Sequence, residues 1–554
     1  MSDIVELVRS GVIGSDVAVA TPYGLRRVTY ADYTASGRNL DFIEDYIRER
    51  VLPLYANTHT ETSGTGLQTT RYREEAREII RSSVGASRAD HAVIFAGSGM
   101  TGAIDRLIAI LGLRVPKRFD QMIGPEVLPQ EQRPVVFVGP YEHHSNELPW
   151  RETIADVVEV AEDADGRIDL ADLEAQLRTH SDRSLKIGSF SAASNVTGIV
   201  SDTRAISTIL HRHDALSFWD FAAAAPYAAI DMTPDASAGD YKDAVFLSPH
   251  KFIGGPGTPG VLVVRRDLLA NTVPAVPGGG TVEYVSPDDH RYIADPEHRE
   301  EGGTPDIIGS IRAGLVFKLK EQVGVDRIRE LEHSYIRRAV ESWSTNENIR
   351  LLGSLDAERL SIVSFMIRDG DRALHHNYVV ALLNDLFGIQ ARGGCSCAGP
   401  YGHRLLSIDG ETSKRFEKVI HDGCEVVKPG WVRVNFNYFI TEEEFEFILA
   451  AVHLVADKGW RLLPDYTYDP ATAVWRHMDG PPEPPISLDD VEFGAALPEL
   501  GRAGLDQLGD YLVTAERLMD AGSTHVPDYP RISDEADELR WYANPDEVAM
   551  RTEG

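Results

Sequence analysis

A series of short apolar runs, each followed by a polar or glycine-rich segment, most constrains the fold of this chain. Helical stretches such as residues 71–85 alternate with these runs. The runs are AVIF at 92–95, PVVFV at 134–138, LKIGSF at 185–190, ALSFW at 215–219, AVFL at 244–247 and GVLVV at 260–264. Strand-sized runs without alternation are typical of a sheet buried on both faces by helices. The sequence therefore predicts an α/β fold.

The segments that follow these strands carry the polar residues expected of a binding site. Ligands of open α/β sheets bind at the edge where the carboxyl ends of the strands lie. The successive segments are GSGMTG at 97–102, YEHHSN at 141–146, SNVTG at 194–198, Asp220, and SPHK at 248–251. The sequence therefore predicts one site assembled from several loops.

Length and composition indicate a packed protein with more than one domain. The chain has 554 residues, of which 43% are hydrophobic and 25% charged, as in ordinary globular proteins. We predict an N-terminal arm at 1–30, a large α/β domain at 31–310, a smaller α+β domain at 311–460 and an acidic C-terminal extension at 461–554. The extension contains DGPPEPP and one amphipathic helix, and we expect an appendage that clasps another subunit or is disordered.

Charge and cysteine content exclude several classes of protein. The chain has 55 lysines and arginines against 86 aspartates and glutamates, a net charge of −31 that repels nucleic acid and anionic lipid. It has no apolar run near the ~20 residues that span a bilayer, and its first residues lack a signal-peptide pattern. The three cysteines cannot form a disulfide framework. We expect a cytoplasmic protein that binds neither nucleic acid nor membrane.

Two charged residues follow apolar strands at the predicted edge of the sheet. Lys251 precedes the flexible GGPGTPG, and a lysine desolvated there can form a Schiff base with a carbonyl compound or pyridoxal phosphate; a surface lysine beside a loop is the alternative. Asp220 is the only charge in LSFWDFAAAAPYAAI. A buried carboxylate needs a partner such as the protonated pyridine nitrogen of pyridoxal phosphate. Capping of an alanine-rich helix is the alternative function of Asp220.

Two further segments suit the same cofactor. GSGMTG joins a strand to a helix, where backbone N–H groups and the helix dipole favour a phosphate, although a glycine-rich turn alone is a weak signal. His143 and His144 lie in YEHHSN without a cluster of cysteine, histidine or carboxylate at zinc spacing, so we predict no metal site. A histidine at this position suits an aromatic lid over a planar cofactor.

In this order the motifs resemble the class V aminotransferase family of fold type I pyridoxal phosphate enzymes, most closely its cysteine desulfurase and selenocysteine lyase-like branch. The resemblance covers about Tyr30 to Gly459. Its motifs are EHHSNELPW at 142–150, SNVTG at 194–198, Asp220, SPHK at 248–251, GGTP at 302–305 and RGGCSCAGP at 392–400. It implies a large domain with a mostly parallel mixed sheet between helices, a smaller α+β C-terminal domain, and a homodimer with shared active sites.

The resemblance also implies which residues bind pyridoxal phosphate. Lys251 would form the Schiff base, Asp220 would contact the pyridine nitrogen, and His143 would stack on the ring. Asn195 would lie near the ring oxygen or the substrate carboxylate. The residues that would hold the phosphate are Ser248, His250, the backbone of Gly99 and Met100, and Thr304 from the neighbouring subunit.

The substrate implied by the resemblance is a cysteine-like amino acid. Arg392 would bind its α-carboxylate through a two-pronged contact. Cys397 falls at the catalytic cysteine of the family and would attack the substrate Sγ, leaving a persulfide and releasing alanine. A sulfur-acceptor protein would then take the sulfur. Cys395 would accept the persulfide, resolve it as a disulfide or do neither, and we expect Cys424 to be structural.

Two departures from the family pattern keep other functions open. Ala223 stands where the family commonly has a glutamine that contacts the ring oxygen, and a long insertion separates Cys397 from WVRVNF at 431–436. An epimerase, aminotransferase or β-lyase of the same family is therefore the alternative to a desulfurase. A catalytically silent scaffold is a third interpretation, which the presence of Lys251 and Asp220 opposes.

Overall fold

The computed structural model describes residues 3–58, 60–116, 118–119, 122, 128–480, 486–496, 498–523, 525 and 529–552. The strands are β1 Val17–Thr21, β2 Gly24–Arg27, β3 Thr29–Tyr30, β4 His91–Ala96, β5 Val135–Val138, β6 Asp156–Glu159, β7 Lys186–Ser191, β8 Ala215–Asp220, β9 Ala244–Leu247, β10 Gly260–Arg265, β11 Val282–Val285, β12 His290–Tyr292, β13 Ile349–Leu351, β14 Ile362–Asp369, β15 Arg372–Ala373, β16 Ile389–Gln390, β17 Arg392–Gly394, β18 Trp431–Asn435, β19 Tyr466–Tyr468, β20 Trp475–His477 and β21 Gly501–Arg502.

The α-helices in the same ranges are α1 Ile4–Ser10, α2 Asp41–Tyr46, α3 Gly64–Ser83, α4 Gly99–Ile110, α5 His144–Arg151, α6 Leu170–Thr179, α7 Thr203–Arg212, α8 Pro296–Arg299, α9 Ile307–Val323, α10 Val325–Ser344, α11 His376–Phe387, α12 Gly399–Leu405, α13 Gly410–His421, α14 Glu442–Lys458, α15 Leu508–Ala521, α16 Asp534–Glu538 and α17 Pro545–Thr552. None of these helices combines the length and apolar character that crossing a membrane needs.

The chain forms two compact units, which we call the first and second unit. The first comprises Met1–Ile13, Tyr33–Leu331 and Asp356–Leu360, and the second comprises Gly14–Asp32, Glu332–Leu355 and Ser361–Gly554. These units differ from the predicted domain boundaries in several places. Residues 311–331, expected in the smaller domain, belong to the first unit. Most of the expected N-terminal arm, from residue 14, belongs to the second unit, and so does the expected C-terminal extension.

The first unit is built around a seven-stranded sheet in the order β4-β10-β9-β8-β7-β5-β6. Only β10 runs antiparallel to its neighbours β4 and β9 in this sheet, and the strands from β9 to β6 are parallel. Strands β4, β5, β7 and β9 are buried along their whole length, as their unalternating sequences predict. The α/β fold with a mostly parallel mixed sheet is confirmed.

Charged side chains, in place of a further strand, form hydrogen bonds with the outer edge of strand β4. The backbone N–H groups of Val93 and Phe95 donate to Glu297 Oε1 at 2.6 Å and Glu301 Oε1 at 2.7 Å. Arg81 donates to the carbonyl of His91 at 2.8 Å, and an arginine one turn earlier on α3, Arg77, donates to the carbonyl of Val93. These four backbone groups of the edge thus have side-chain partners and are not available for pairing with another strand.

The charges of this edge neutralise one another although they are buried. Arg77 contacts both carboxylate oxygens of Glu301, at 3.0 and 2.9 Å, and Arg73 pairs with the same carboxylate. Burial would raise the pKa of Glu301, but the guanidinium groups of Arg77 and Arg73 outweigh burial and lower that pKa to about 2. The carboxylate is therefore ionised at every physiological pH. Because Glu301 directly precedes GGTP at 302–305, this pairing also fixes the start of that motif.

The second unit contains a four-strand antiparallel path in the order β13-β14-β18-β17. One face carries apolar residues such as Phe365, Ile367 and Val434, which are buried in the core of this unit. Because cross-strand partners share a face, the register places Arg350 beside Met366 and Arg392 beside Arg433 on the opposite face. The small sheet therefore has one apolar face and one face rich in arginine.

Residues after Trp460 belong to the core of the second unit, in contrast to the expected appendage. Helix α15 buries Leu508, Tyr511, Ala515 and Met519 in that core, at helical spacing. Further along, α16 pairs with the insertion helix α13 through Glu535–Lys418 at 2.6 Å and Glu538–Arg415 at 2.7 Å. The apolar residues of α15 recur on one helix face and are buried, whereas Leu488 and Phe493 of the same region are exposed.

Removal of the Glu301 carboxylate tests the importance of the charged edge. We expect Glu301→Ala to lower the free energy of unfolding of the first unit by roughly 3–5 kcal/mol, because two buried guanidinium groups lose their counter-charge. Denaturant titration measures the change. Glu283→Ala removes an exposed carboxylate and serves as the control. Equal stability of the two variants would show that the edge charges do not stabilise the sheet.

Candidate active site

Asp220 ends β8, the middle strand of the large sheet, and its carboxyl group is buried. The Oδ1 atom accepts a hydrogen bond from the Ala222 N–H at 2.7 Å. Burial raises the pKa of Asp220 to about 6, against the lowering effects of the Ala222 N–H and the Lys251 ammonium group. A carboxylate at this position therefore favours a nearby cation, and the structure places the charge of Lys251 within electrostatic range.

Lys251 follows β9 in a short 3-10 turn, Pro249–Lys251, and is half-buried. A distant segment of the chain stabilises this turn, because the Gly37 N–H donates to the His250 carbonyl at 2.8 Å. A Cβ on Gly37 would lie 1.9 Å from the Phe252 carbonyl oxygen, so only glycine fits there. Burial, together with the charge of Lys251, lowers the pKa of His250 to about 4, which makes that ring neutral at physiological pH.

The start of α4 forms a small cradle with the same turn. Ser248 Oγ accepts a hydrogen bond from the Met100 N–H at 2.8 Å. Gly99 has φ +55°, and a Cβ built on it would lie 3.0 Å from Ser248 Oγ and 3.4 Å from His250 Nε2. The N-cap residue Ser98 makes no side-chain capping bond. Backbone N–H groups, a hydroxyl and an imidazole thus converge at a helix N-terminus, which is a suitable arrangement for a phosphate.

The EHHSN segment lies beside this cradle. Thr101 Oγ1 and Ser145 Oγ, which belong to α4 and α5, are 2.6 Å apart. His143 caps α5 and its Nδ1 accepts the Ser145 N–H at 3.0 Å, so the proton of a neutral ring resides on Nε2. The ring is half-buried. The structure therefore brings together Lys251, Asp220, Ser248, His250, Gly99, Met100 and the His143 segment.

A buried carboxyl group next to His143 was not identified from the sequence. Glu142 accepts hydrogen bonds from the Ser191 N–H at 2.9 Å, Ser191 Oγ at 2.6 Å and Asn146 Nδ2 at 2.6 Å. Burial raises its pKa to about 7, although these hydrogen bonds lower it and the charge of Asp220 raises it further. Its position before His143 in a strand-exit motif was the available signal. Glu142 ties the EHHSN segment to the end of β7.

Two other predicted site residues lie on loops of the same unit. Asn195 is buried in the turn after β7, where the neighbouring Ser194 Oγ accepts the N–H groups of Val196 and Thr197 at 3.1 and 3.2 Å. Thr304 is exposed, and its Oγ1 accepts a hydrogen bond from Asn57 Nδ2 at 3.5 Å. Ala223, at the position of the expected glutamine, is buried.

Arg392 belongs to the second unit, where a carboxylate orients it. Its Nε donates to Asp32 Oδ2 at 2.9 Å, and the other oxygen of Asp32 accepts from Arg433 at 3.0 Å. Arg433 is buried, whereas half of the Arg392 side chain is exposed. Asp32 lies 360 positions away in sequence, and no local pattern connects it with Arg392. The contact with Asp32 uses Nε of Arg392 and not its two terminal nitrogens.

Cys397 lies in a tight turn with an unusual backbone conformation. The Ala398 N–H donates to the Cys395 carbonyl at 3.1 Å, and the two central residues, Ser396 and Cys397, have φ values of +52° and +54°. Two positive φ values define a type I′ turn, in which glycine and asparagine are favoured. Cys397 is exposed and Cys395 half-buried. The turn thus presents the Cys397 thiol to solvent at a cost in backbone strain.

Comparison with known proteins assigns the chain to a family. Residues 29–447 match the model of the class V aminotransferases. The chain is 30% identical over 381 residues to a probable cysteine desulfurase of Halalkalibacterium halodurans, covering 67% of this chain and 84% of that protein. A probable cysteine desulfurase of Staphylococcus aureus is 29% identical over 383 residues, with coverages of 68% and 84%. The chain belongs to the class V aminotransferase family, whose enzymes depend on pyridoxal phosphate.

A solved structure supports the fold. The apo cysteine desulfurase of Thermococcus onnurineus superposes with a TM-score of 0.63 at 24% sequence identity, covering 78% of this chain and 95% of that chain. At this identity the likeness shows the fold type I architecture. Both the family and the fold class expected from the motifs are confirmed.

The raised pKa of Asp220 predicts a pH dependence of stability in the protein without cofactor. The folded chain retains the Asp220 proton up to about pH 6, whereas the ordinary pKa is 3.8. The resulting stabilisation is complete below about pH 4 and lost as pH rises through about 6. Relative to Asp220→Asn, the wild-type free energy of unfolding should fall by roughly 2–3 kcal/mol over that range. Denaturant titrations at each pH measure this fall.

The control for this experiment is Asp182→Asn, which changes an exposed carboxylate of the same unit. Its pH profile should follow that of the wild type. An Asp220→Asn profile parallel to both would show that the Asp220 carboxyl group titrates as an ordinary exposed one.

The strained turn predicts an opposite effect of two glycine substitutions. Cys397→Gly should leave stability unchanged or raise it by up to ~1 kcal/mol, because glycine adopts φ +54° without penalty. Cys424→Gly, at φ −108°, should lower stability, because glycine at this position increases only the entropy of the unfolded chain. Thermal midpoints report both. Equal destabilisation by the two substitutions would contradict the presence of strain at Cys397.

Proposed function

We propose that this class V aminotransferase is a pyridoxal phosphate-dependent cysteine desulfurase, which cleaves the C–S bond of L-cysteine, or the C–Se bond of selenocysteine, and transfers the sulfur or selenium to Cys397. The observation that carries the proposal is the exposed Cys397 in its strained turn, five residues after an arginine held by Asp32. The names of the relatives from Halalkalibacterium halodurans and Staphylococcus aureus support the same reaction.

The residues of the first unit fit pyridoxal phosphate. The phosphate would bind in the cradle of Gly99, Met100, Ser248 and His250, where a Cβ on Gly99 would crowd Ser248 Oγ and His250 Nε2. Asp220 provides a buried carboxylate whose raised pKa would return towards its ordinary value beside a cationic pyridine nitrogen.

Three further residues complete the proposed cofactor site. His143, with its proton on Nε2, would cover the ring, and Asn195 would contact the ring oxygen or the substrate carboxylate. Thr304, which is exposed, would contact the cofactor phosphate bound to a neighbouring subunit. The proposed enzyme is therefore a homodimer with shared active sites. When bound, pyridoxal phosphate withdraws electrons from the substrate Cα and thereby acidifies the Cα–H bond.

Lys251 is the proposed proton carrier. Its amine would bind the cofactor carbonyl in the resting enzyme and, once released, would accept the Cα proton on Nζ. The short turn Pro249–Lys251, fixed by the Gly37 contact, limits where Nζ can travel. The neutral His250 beside it adds no positive charge that would oppose this proton uptake.

Arg392 would bind the substrate α-carboxylate. Because Nε of Arg392 donates to Asp32, the two terminal nitrogens would make the bidentate contact with the substrate carboxylate. Arg433, buried behind Asp32, holds that carboxylate in place. Asp32 is therefore a positioning residue for Arg392.

Cys397 is the proposed nucleophile for sulfur. Its thiolate would attack the substrate Sγ, so that an S–S bond forms and the Cβ–S bond breaks. Cβ would then take up a proton and Lys251 would return the proton to Cα, which gives alanine. A persulfide remains on Cys397. The exposed position of the turn leaves this persulfide accessible to an acceptor protein in the cytoplasm.

Ala223 supports a second candidate, another class V reaction such as epimerisation, transamination or β-elimination. A buried alanine replaces the glutamine that commonly contacts the ring oxygen in the family, so the electronic control of the reaction could differ. These reactions would not need Cys397.

The products from L-cysteine distinguish the candidates. A desulfurase gives alanine, a β-lyase gives pyruvate, and an epimerase gives D-cysteine. We expect alanine, and a loss of at least ~100-fold in Cys397→Ser, because a hydroxyl cannot form the persulfide. Chiral chromatography of the products measures all three. Cys424→Ser is the matched control and should keep full activity.

Formation of pyruvate or D-cysteine in place of alanine would contradict the desulfurase assignment. Alanine production unaffected by Cys397→Ser would remove Cys397 from the proposed mechanism while leaving the family unchanged.

A further inference from the structure

A cavity of about 420 Å³ opens in the second unit and involves none of the residues proposed for catalysis. Its lining combines strands β13 to β15, the insertion after Cys397 and the C-terminal region. The lining residues are Arg350, Met366, Arg368, Gly370, Asp371, Arg372, Ala373, Leu406, Ile408, Phe416, Pro429 and Trp541. The volume is that of a site for a small organic molecule.

The floor of the cavity is the arginine-rich face of the small sheet. Arg350 pairs with Met366 across β13 and β14, and Arg368 lies two residues further on the same face of β14. Arg372 follows in β15, which pairs with the end of β14. Three arginines thus line one cavity, together with one acidic residue, Asp371. In a chain with a net charge of −31, this local excess of positive charge is distinctive.

These guanidinium groups are only partly satisfied by the protein. Arg350 donates to the Leu405 carbonyl at 2.8 Å. Arg372 donates to the Arg540 carbonyl at 3.2 Å and lies 3.5 Å from Glu547. The Arg368 side chain is exposed and forms neither a hydrogen bond nor an ion pair with any residue that the structure describes, whereas its backbone N–H donates to the Asn348 carbonyl at 2.7 Å. Donors therefore remain for a ligand.

The rest of the lining is largely apolar, and its Trp541 is held by two contacts. Leu406, Ile408 and Phe416 come from the insertion. Trp541 comes from the C-terminal region, where its Nε1 donates to the Val427 carbonyl at 3.0 Å. Its ring stacks on His376 with centroids 5.7 Å apart and an interplanar angle of 8°. A cavity lined by aromatic rings and by arginines is suited to a ligand with an apolar body and an anionic end.

We propose that this cavity binds a small organic anion, a carboxylate or phosphate joined to an apolar or aromatic group. The planar fork of arginine matches both anionic groups, and Trp541 and Phe416 would contact the apolar body. Trp541 lies beyond residues 29–447, the part that matches the family model. The site is thus built in part by a region that lies outside this match, and binding there does not depend on the proposed reaction.

The test uses two fluorescent probes that share an aromatic body and differ in charge. These are the anionic 8-anilinonaphthalene-1-sulfonate and the uncharged N-phenyl-1-naphthylamine, titrated into the protein saturated with pyridoxal phosphate. We expect saturable binding of the anionic probe at one site and much weaker binding of the uncharged one. Competition with 1-naphthoate and with 1-naphthyl phosphate then shows whether the site prefers a carboxylate or a phosphate.

Substitutions locate the site. Arg368→Gln should lower the affinity for the anionic probe about fivefold. The double variant Arg350→Gln/Arg368→Gln should lower this affinity tenfold or more, because charge-assisted hydrogen bonds are lost. Arg337→Gln, at an exposed arginine of the same unit outside the cavity, is the matched control and should bind as the wild type does. Cys397→Ala should also bind normally, which separates this proposal from the desulfurase proposal.

The proposal is overturned if the anionic probe binds the double variant as tightly as the wild type, or if the uncharged probe binds equally well. Arg368→Gln breaks no side-chain hydrogen bond or ion pair within the described structure, so its thermal midpoint should equal that of the wild type. If the double variant fails to fold, Ile408→Trp replaces it. This substitution fills the cavity from the insertion and should likewise reduce the affinity for the anionic probe, and unchanged affinity there contradicts the proposal.

Discussion

The buried carboxyl group of Asp220 is the constraint around which the first unit is arranged. It ends the middle strand of the large sheet, and burial raises its pKa to about 6. The parallel direction of the neighbouring strands brings the loops after β7, β8 and β9 to the same edge. The charge of Lys251 and the neutral ring of His250 lie on the loop after β9, so the sheet itself determines which polar groups surround Asp220.

The same sheet is completed at its edge by charges in place of another strand. The carboxylates of Glu297 and Glu301 accept the outward N–H groups of β4, and arginines of α3 donate to its carbonyls. This arrangement joins α3, β4 and the segment leading into GGTP. Stability of the sheet and the position of a motif that characterises the family thus depend on one group of ion pairs.

The sequence predicted the sheet well because its strands are buried on both faces and read as unbroken apolar runs. Strand β6 escaped notice since DVVE at 156–159 has only two apolar residues between charges and lies at an exposed edge. Asp32 and the cavity below Trp541 could not be predicted, because their partners lie hundreds of residues away and meet only in the folded second unit. The amphipathic helix expected after Trp460 is present as α15, but the spacing of its apolar residues does not show which surface they pack against, and in the structure they lie in the core of the second unit.

The central claim of the proposed function is that sulfur moves from the substrate to Cys397. The most direct measurement is the mass of the peptide containing Cys397 after a single turnover with L-cysteine, in the absence of thiols. We expect one added sulfur atom on this peptide, together with one alanine per site, and neither in Cys397→Ala. A Cys395→Ser variant assigns the sulfur between the two cysteines of the turn. An unmodified peptide after alanine has formed would show that sulfur does not pass through Cys397.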